Sequence, residues 1–261
     1  MKSILAAVLL AAALPAPAIL IRADRGDAEY LEMASKYKTS VALPVAGGGE
    51  GVLIAPRWVL TSGRVGKALQ ATKGARVEID GRKYDIVQVV VHPAWTPAYR
   101  SSSLALVYLK EPVRSIEPTP LYRQSDEAGG AVVIVGHGET GRIGDKSLQS
   151  DGKKRGAINT IDRVAPRMIT LTLKAGDAAS DLQGAAAPGD EGGPAYLETA
   201  GSVFVVGIAA GTEDTNHNGV IDAGDAQDYV RVSTFIQWID DATRKAAEEE
   251  LADKLGGAGG S

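Results

Sequence analysis

Two stretches of the chain carry side chains whose types and spacing can do chemistry. The first is residues 214–225, Asp-Thr-Asn-His-Asn-Gly-Val-Ile-Asp-Ala-Gly-Asp. Its oxygen donors Asp214, Asn216, Asn218, Asp222 and Asp225 fall at the first, third, fifth, ninth and twelfth places of a calcium-loop template. Gly219 takes the sixth place for the sharp turn, Val220 offers its carbonyl at the seventh, and Ile221 is the apolar eighth. Oxygens at alternate positions suit a hard cation that takes six to eight of them, so calcium is the expected cofactor. Zinc is disfavoured, because the chain has no Cys and His217 falls between ligand positions. Asp225 stands where such loops usually carry a bidentate glutamate, which shortens the reach and lowers the expected affinity; a metal-free polar turn is the alternative. The second stretch, residues 189–194, reads Gly-Asp-Glu-Gly-Gly-Pro and sets two acids, Asp190 and Glu191, in a glycine-rich turn. Of general bases the chain has His92, His137 and His217. None adjoins a serine in a nucleophile-like turn, and each reads as a surface or turn residue.

The elements that must position these groups are mostly short strands. Apolar β-rich runs at 51–61, 84–91, 104–109, 131–135, 168–173, 202–208 and 229–232 are separated by Gly, Pro and charged turns, which predicts a β-barrel or sandwich rather than a parallel α/β sheet. A chain of 261 residues, 44% hydrophobic, is long enough for one large or two fused β domains. A short helix is expected over 27–37, and a longer one over 233–255, with Phe235, Ile236, Ile239, Ala242 and Ala246 on one face and Ser233 able to cap its start. Residues 256–261 read as a flexible tail. The formal net charge of −4, with no long basic run, excludes nucleic acid as the main partner. Residues 1–18 read as an export signal: Lys2, an apolar run, then Ala16-Pro17-Ala18 at the cleavage site. The run is too short to span a membrane, so no membrane partner is expected and the protein is expected to be secreted or periplasmic, an uncleaved anchor being the alternative. Cleavage after Ala18 leaves Ile19 as the first residue, followed by a domain over 19–255. With no Cys, an exported chain has no disulfide staples, and its stability must come from the core and the metal loop.

Three stretches together, in order, resemble the trypsin-like (chymotrypsin-fold) serine protease family. Residues 51–65, with Thr61-Ser62-Gly63-Arg64-Val65, resemble the strand and turn that present the catalytic histidine. Residues 101–109, with Ser103-Leu104-Ala105-Leu106, resemble the strand that begins with the catalytic aspartate. Residues 189–194 resemble the nucleophile turn Gly-Asp-Ser-Gly-Gly-Pro. The resemblance covers about residues 41–239 and implies two six-stranded antiparallel β-barrels with a C-terminal helix, an all-β fold.

At each catalytic position the residue differs from the family's: Arg64 for the base, Ser103 for the orienting carboxylate, Glu191 for the nucleophile. The mechanism needs a hydroxyl activated by an imidazole that a carboxylate holds in place, and a guanidinium stays protonated and cannot serve as the base. The resemblance therefore implies a catalytically inactive homologue whose former substrate cleft binds a peptide or protein. The alternatives are a hydrolase that uses Glu191 as carboxylate nucleophile or base, and a relic whose cleft binds nothing. Arg64 and Glu191 occupy facing positions, which predicts a salt bridge, the alternative being that both point to solvent. The resemblance further assigns the backbone N–H groups of Gly189 and Glu191 to an oxyanion hole, filled by Glu191's own carboxylate or a partner's. It assigns Ala185 to the position that sets the specificity of a pocket walled by Gly207 to Gly211, and Asp190 to pairing with the amino group of Ile19, the alternative being a disordered amino-terminal arm with Asp190 bonded locally.

Overall fold

The computed structural model describes residues 19–257; the expected export signal at 1–18 and residues 258–261 lie outside them. The described chain opens with a two-residue strand at Leu20–Ile21 and helix α1 at Asp27–Ser35. The Glu29 carboxylate accepts the Gly26 N–H at 3.0 Å, satisfying a backbone donor that the first turn of a helix leaves open.

The first barrel comprises β1 (Ser40–Ala42), β2 (Glu50–Ala55), β3 (Trp58–Thr61), β4 (Arg76–Ile79), β5 (Arg82–Val91) and β6 (Ala105–Leu109). Its antiparallel sheet runs β1-β2-β3-β6-β5-β4, and the end strands β1 and β4 approach one another. Helix α2 (Gly63–Ala71) follows β3 directly. The run expected as one strand over 51–61 is in fact a hairpin, broken at Pro56 and Arg57, because proline cannot donate to a ladder.

The second barrel is closed. It comprises β7 (Ala131–Gly136), β8 (Arg155–Val164), β9 (Met168–Thr172), β10 (Pro194–Thr199), β11 (Ser202–Glu213) and β12 (Ala226–Arg231), in the order β8-β9-β12-β11-β10-β7. The all-β, two-barrel architecture is the one expected. Strand β8 is absent from the expected runs because Arg155, Asn159, Asp162 and Arg163 break its apolar pattern.

Each barrel has its own apolar core, Val41, Leu53, Val59, Val77 and Val107 in the first and Ile134, Ile161, Ile169, Leu171 and Val206 in the second. A third cluster, with Val52, Leu60, Leu106, Val135, Ile208 and Val230, welds the barrels together and receives Phe235 and Ile239. Helix α3 runs Ile236–Gly257, reaching into the segment expected as tail, and is preceded by a 3-10 turn at Val232–Phe235. Ser233 does not cap it; its hydroxyl donates to Glu127 Oε1 at 3.3 Å, because the 3-10 turn moves the helix start past it.

Candidate functional site

The site lies where the two barrels meet, and its shape is made by backbone. Residues 189–194 loop between the cleft and β10, with Gly189 and Gly192 at φ of +98° and +92°, a region favourable to glycine alone. A Cβ on Gly192 would fall 2.3 Å from the Glu50 carbonyl oxygen and from Thr61 Oγ1. The turn is bonded to both barrels: Glu50 N–H donates to the Glu191 carbonyl and Gly192 N–H to the Ala209 carbonyl, each at 2.9 Å. The N–H groups of Gly189 and Glu191 have no acceptor among the described residues.

Helix α2 delivers Arg64 from its first turn. Its N-cap is Ser62, whose Oγ accepts the Val65 N–H at 3.2 Å and donates to Glu191 Oε1 at 2.9 Å. Arg64 Nε donates to Glu191 Oε2, and its Nη2 donates to the Gly48 carbonyl at 3.2 Å. Opposite charges thus close on each other, and the Glu191 carboxylate is held by Arg64 and Ser62 rather than by the turn's own N–H groups. Ser103 is buried and accepts the Gly63 N–H at 3.1 Å. It is uncharged, so the three positions present a guanidinium, a hydroxyl and a carboxylate, with no imidazole among them.

Behind the turn, Asp190 is fully buried and receives three backbone N–H groups: Ile19 at 3.1 Å, Ala187 at 2.8 Å and Gly138 at 2.6 Å. Burial, and then the charge of nearby Glu50, push its carboxyl up to about 7 against the pull of those donors. In the continuous chain the Ile19 nitrogen is a neutral amide, so these hydrogen bonds carry no compensating cation. The sequence reading missed Glu50. Its carboxylate is 1% exposed and accepts His137 N–H at 2.8 Å, with His137 Nδ1 at 3.1 Å from both its oxygens. Burial depresses the imidazole, but the Glu50 charge and hydrogen bonds outweigh it and raise it. His137, expected as a surface or turn residue, does stand just past the end of β7, but it is only partly exposed and is hydrogen-bonded to the buried Glu50 carboxylate. His92 is likewise half-buried, edge-on to Phe235 and Trp238.

A cavity of about 400 Å³ opens beside Arg64 and Glu191. Its walls are Ala186, Ala187, Pro188, Gly189, Ala209, Gly211, Thr212 and Ile221, with Gly47 at the rim. It is mainly apolar and ringed by backbone. Gly211 lines it; Ala185 and Gly207 do not. Ala185 is fully buried and pairs with Leu20, and a Cβ on Gly207 would strike Ile169 and Tyr229 inside the second barrel. Ala186 and Ala187, one and two residues on, take the place assigned to Ala185.

The 214–225 loop follows β11 and reaches the cavity through Ile221. Asp214 accepts the N–H groups of Asn218 and Gly219 at 3.2 and 2.8 Å, and Asp222 accepts the side-chain amides of Asn216 and Asn218 at 2.9 and 2.7 Å. These four side chains cluster. Asp225 stands apart: it is fully buried, and its oxygens accept the N–H groups of Thr215 and Asp222. Among the described residues no three Asp, Glu, His or Cys side chains converge as a metal centre, so an ion here would depend on the Asn216 and Asn218 amide oxygens and the Val220 carbonyl as well.

A two-barrel fold with a turn of this shape at the barrel junction defines the chymotrypsin-like class. The family model described as Trypsin matches residues 32–239, and the chain belongs to that family. It is 26% identical to vitamin K-dependent protein C of mouse (Mus musculus) over 223 residues, 72% of this chain and 45% of that protein. Against the rat (Rattus norvegicus) protein of the same name it is again 26% identical, over 72% of this chain and 44% of the relative. The chain thus spans less than half the length of these relatives. Among solved structures, mouse neuropsin, a serine protease expressed in the limbic system of the brain, superposes with a TM-score of 0.63 at 17% identity. The match covers 80% of this chain and 96% of neuropsin, a likeness of fold.

Proposed function

We propose that this chain is a catalytically silent, exported member of the trypsin family that binds a peptide or an extended protein segment in the former substrate cleft. One observation carries the reading: Arg64 and Glu191 neutralise each other where an imidazole and a hydroxyl would stand, while the apolar cavity and two backbone N–H donors beside them stay open. A peptide carbonyl or terminal carboxylate suits those donors, an apolar side chain suits the cavity, and the strand edge near Gly211 can add a peptide strand. The hydroxyl nearest the carboxylate, Ser62 Oγ, favours a second reading, in which Glu191 acts as a base toward Ser62. Against it, Ser62 is already engaged as a helix cap, and the other Glu191 oxygen is taken by Arg64 Nε.

The test is a fluorophosphonate probe and a broad peptide panel applied to the purified protein, with binding of the same peptides measured by fluorescence polarisation. The reading expects binding without labelling and without cleavage. Labelling that maps to Ser62, or cleavage that vanishes on Arg64→Ala or Glu191→Ala, overturns it. For export, the check is the amino terminus of the protein recovered outside producing cells, which begins at Ile19 if the signal at 1–18 is removed.

Calcium belongs to the same proposal. Asp214, Asn216, Asn218, Val220 and Asp222 would hold the ion, all hard oxygens, with Asp225 bracing the loop from behind rather than reaching in. The bound ion would stiffen a loop that walls the cavity. Calcium at a hundredfold excess over its Kd is expected to add about 3 kcal/mol to unfolding, an effect that Asp214→Ala and Asp222→Ala remove; an unchanged melt with calcium in excess counts against the site.

A further inference from the structure

Resting on the peptide-binding reading, a charge at the edge of the cleft narrows what the peptide is. The 3-10 turn Arg100–Ser102 leads directly into Ser103, and Arg100 is exposed on it. The Arg100 guanidinium lies across Gly211, a residue of the cavity wall: a Cβ built there would sit 2.9 Å from Nη1 and 3.1 Å from Cζ. Any side chain at 211 would push the guanidinium off the cleft.

The neighbouring cations are accounted for. Arg64 is paired with Glu191, and Arg167 gives Nη1 to Ser102 Oγ at 3.1 Å and packs over the Phe235 ring. Arg100 makes no ion pair among the described residues. The carboxylate in register with Gly211 across the sheet, Asp228, accepts the Thr170 hydroxyl at its Oδ1 at 2.8 Å. Ser103, next along the chain, is neutral. The cleft therefore keeps one uncompensated positive charge beside its apolar cavity, on a chain whose formal net charge is −4.

We propose that Arg100 selects an acidic group, so that the cleft takes a segment with an apolar residue in the cavity and an aspartate or glutamate within about three residues of it, the reach of a short extended strand. A guanidinium offers a carboxylate two parallel donors. At a solvent-exposed position the gain is modest, about fivefold in affinity.

The test uses the purified protein and fluorescence polarisation with labelled peptides that share one apolar anchor and differ in flanking residues: acidic, neutral amide, or lysine. Acidic peptides are expected to bind about fivefold tighter than neutral ones, with the margin shrinking as salt is raised. The preference, read within each variant as the ratio of acidic to neutral affinity, should disappear in Arg100→Gln and turn toward lysine in Arg100→Glu. Because the side chain is exposed and unpaired, both variants are expected to melt with the wild type. If neutral peptides bind but no acidic preference exists, or if it survives Arg100→Glu, the role of Arg100 is refuted while the cleft reading stands. If no set binds, the cleft reading falls and this inference with it.

Discussion

The contact between Ile19 and Asp190 makes a prediction whose sign depends on a single peptide bond. In the uncleaved chain the nitrogen facing Asp190 is an amide, and burial with the Glu50 charge raises the carboxyl from 3.8 to about 7. A carboxyl raised in the folded state stabilises the fold below its unfolded pKa, and that contribution is lost as pH climbs through the folded value. At about 1.4 kcal/mol per pKa unit, the ionised folded state is penalised by about 4 kcal/mol. In a chain beginning at Ile19 the nitrogen is an ammonium, and an opposite charge at this distance lowers the carboxyl instead. Stability is then present above the unfolded pKa and lost as pH falls. Urea or thermal unfolding of residues 1–261 and of residues 19–261 at pH 5 and pH 8 measures this directly. The shorter chain should gain relative to the longer one as pH rises, by a margin on the order of 10 °C in Tm if the full penalty is relieved. His137, raised in the same way by Glu50, is common to both chains and drops out of the difference. Parallel pH profiles for the two chains would refute the reasoning.

Four further outcomes follow from the site. A double-mutant cycle on Arg64 and Glu191 should give a coupling of about 0.5–1 kcal/mol in denaturant unfolding, small because the side chains are 41% and 23% exposed; zero coupling would mean that the pair is not formed in solution. In proton NMR the His137 imidazole should titrate above its ordinary 6.5, and in Glu50→Gln below it, since burial then acts without the carboxylate. Restoring the family's residues together (Arg64→His, Ser103→Asp, Glu191→Ser) should produce fluorophosphonate labelling at position 191, because the turn and its two N–H donors are already in place; a folded triple variant that stays unlabelled would show that the turn is not competent. Ala185→Asp should cost several kcal/mol, as it buries an unpaired charge against Leu20, whereas the same change at Ala187, on the cavity wall, should cost less; equal melting temperatures for the two would contradict their placement.

What could be read from the sequence was local. The turn at 189–194, the strand ends at Arg64 and Ser103 and the oxygen-rich loop each carry their signal within a dozen or so residues, and the two-barrel fold follows from them once they stand in order. The Glu50–His137 pair could not be read, because its members are 87 positions apart and a glutamate at a strand start looks like any solvated edge residue. A faint signal existed in Glu50 itself, an acid flanked by glycines on a strand otherwise wholly apolar. The cavity lining differs from the expected one at Ala185 and Gly207: pairing with Leu20 puts Ala185 in the core, Gly207 packs against Ile169 and Tyr229, and the wall begins where the short strand ends, at Ala186. Arg100 was passed over because nothing in the run 95–103 says that it will lie on a glycine more than a hundred residues away.

The wedge formed by Gly192 has a broader consequence. With no room for even a methyl group between it and the Glu50 carbonyl, the junction is keyed by main-chain atoms, and that contact does not involve the side chains at positions 64, 103 and 191. Such an architecture separates shape from reactivity: the form of the turn is set by glycines and main-chain contacts, whatever side chains stand at those three positions.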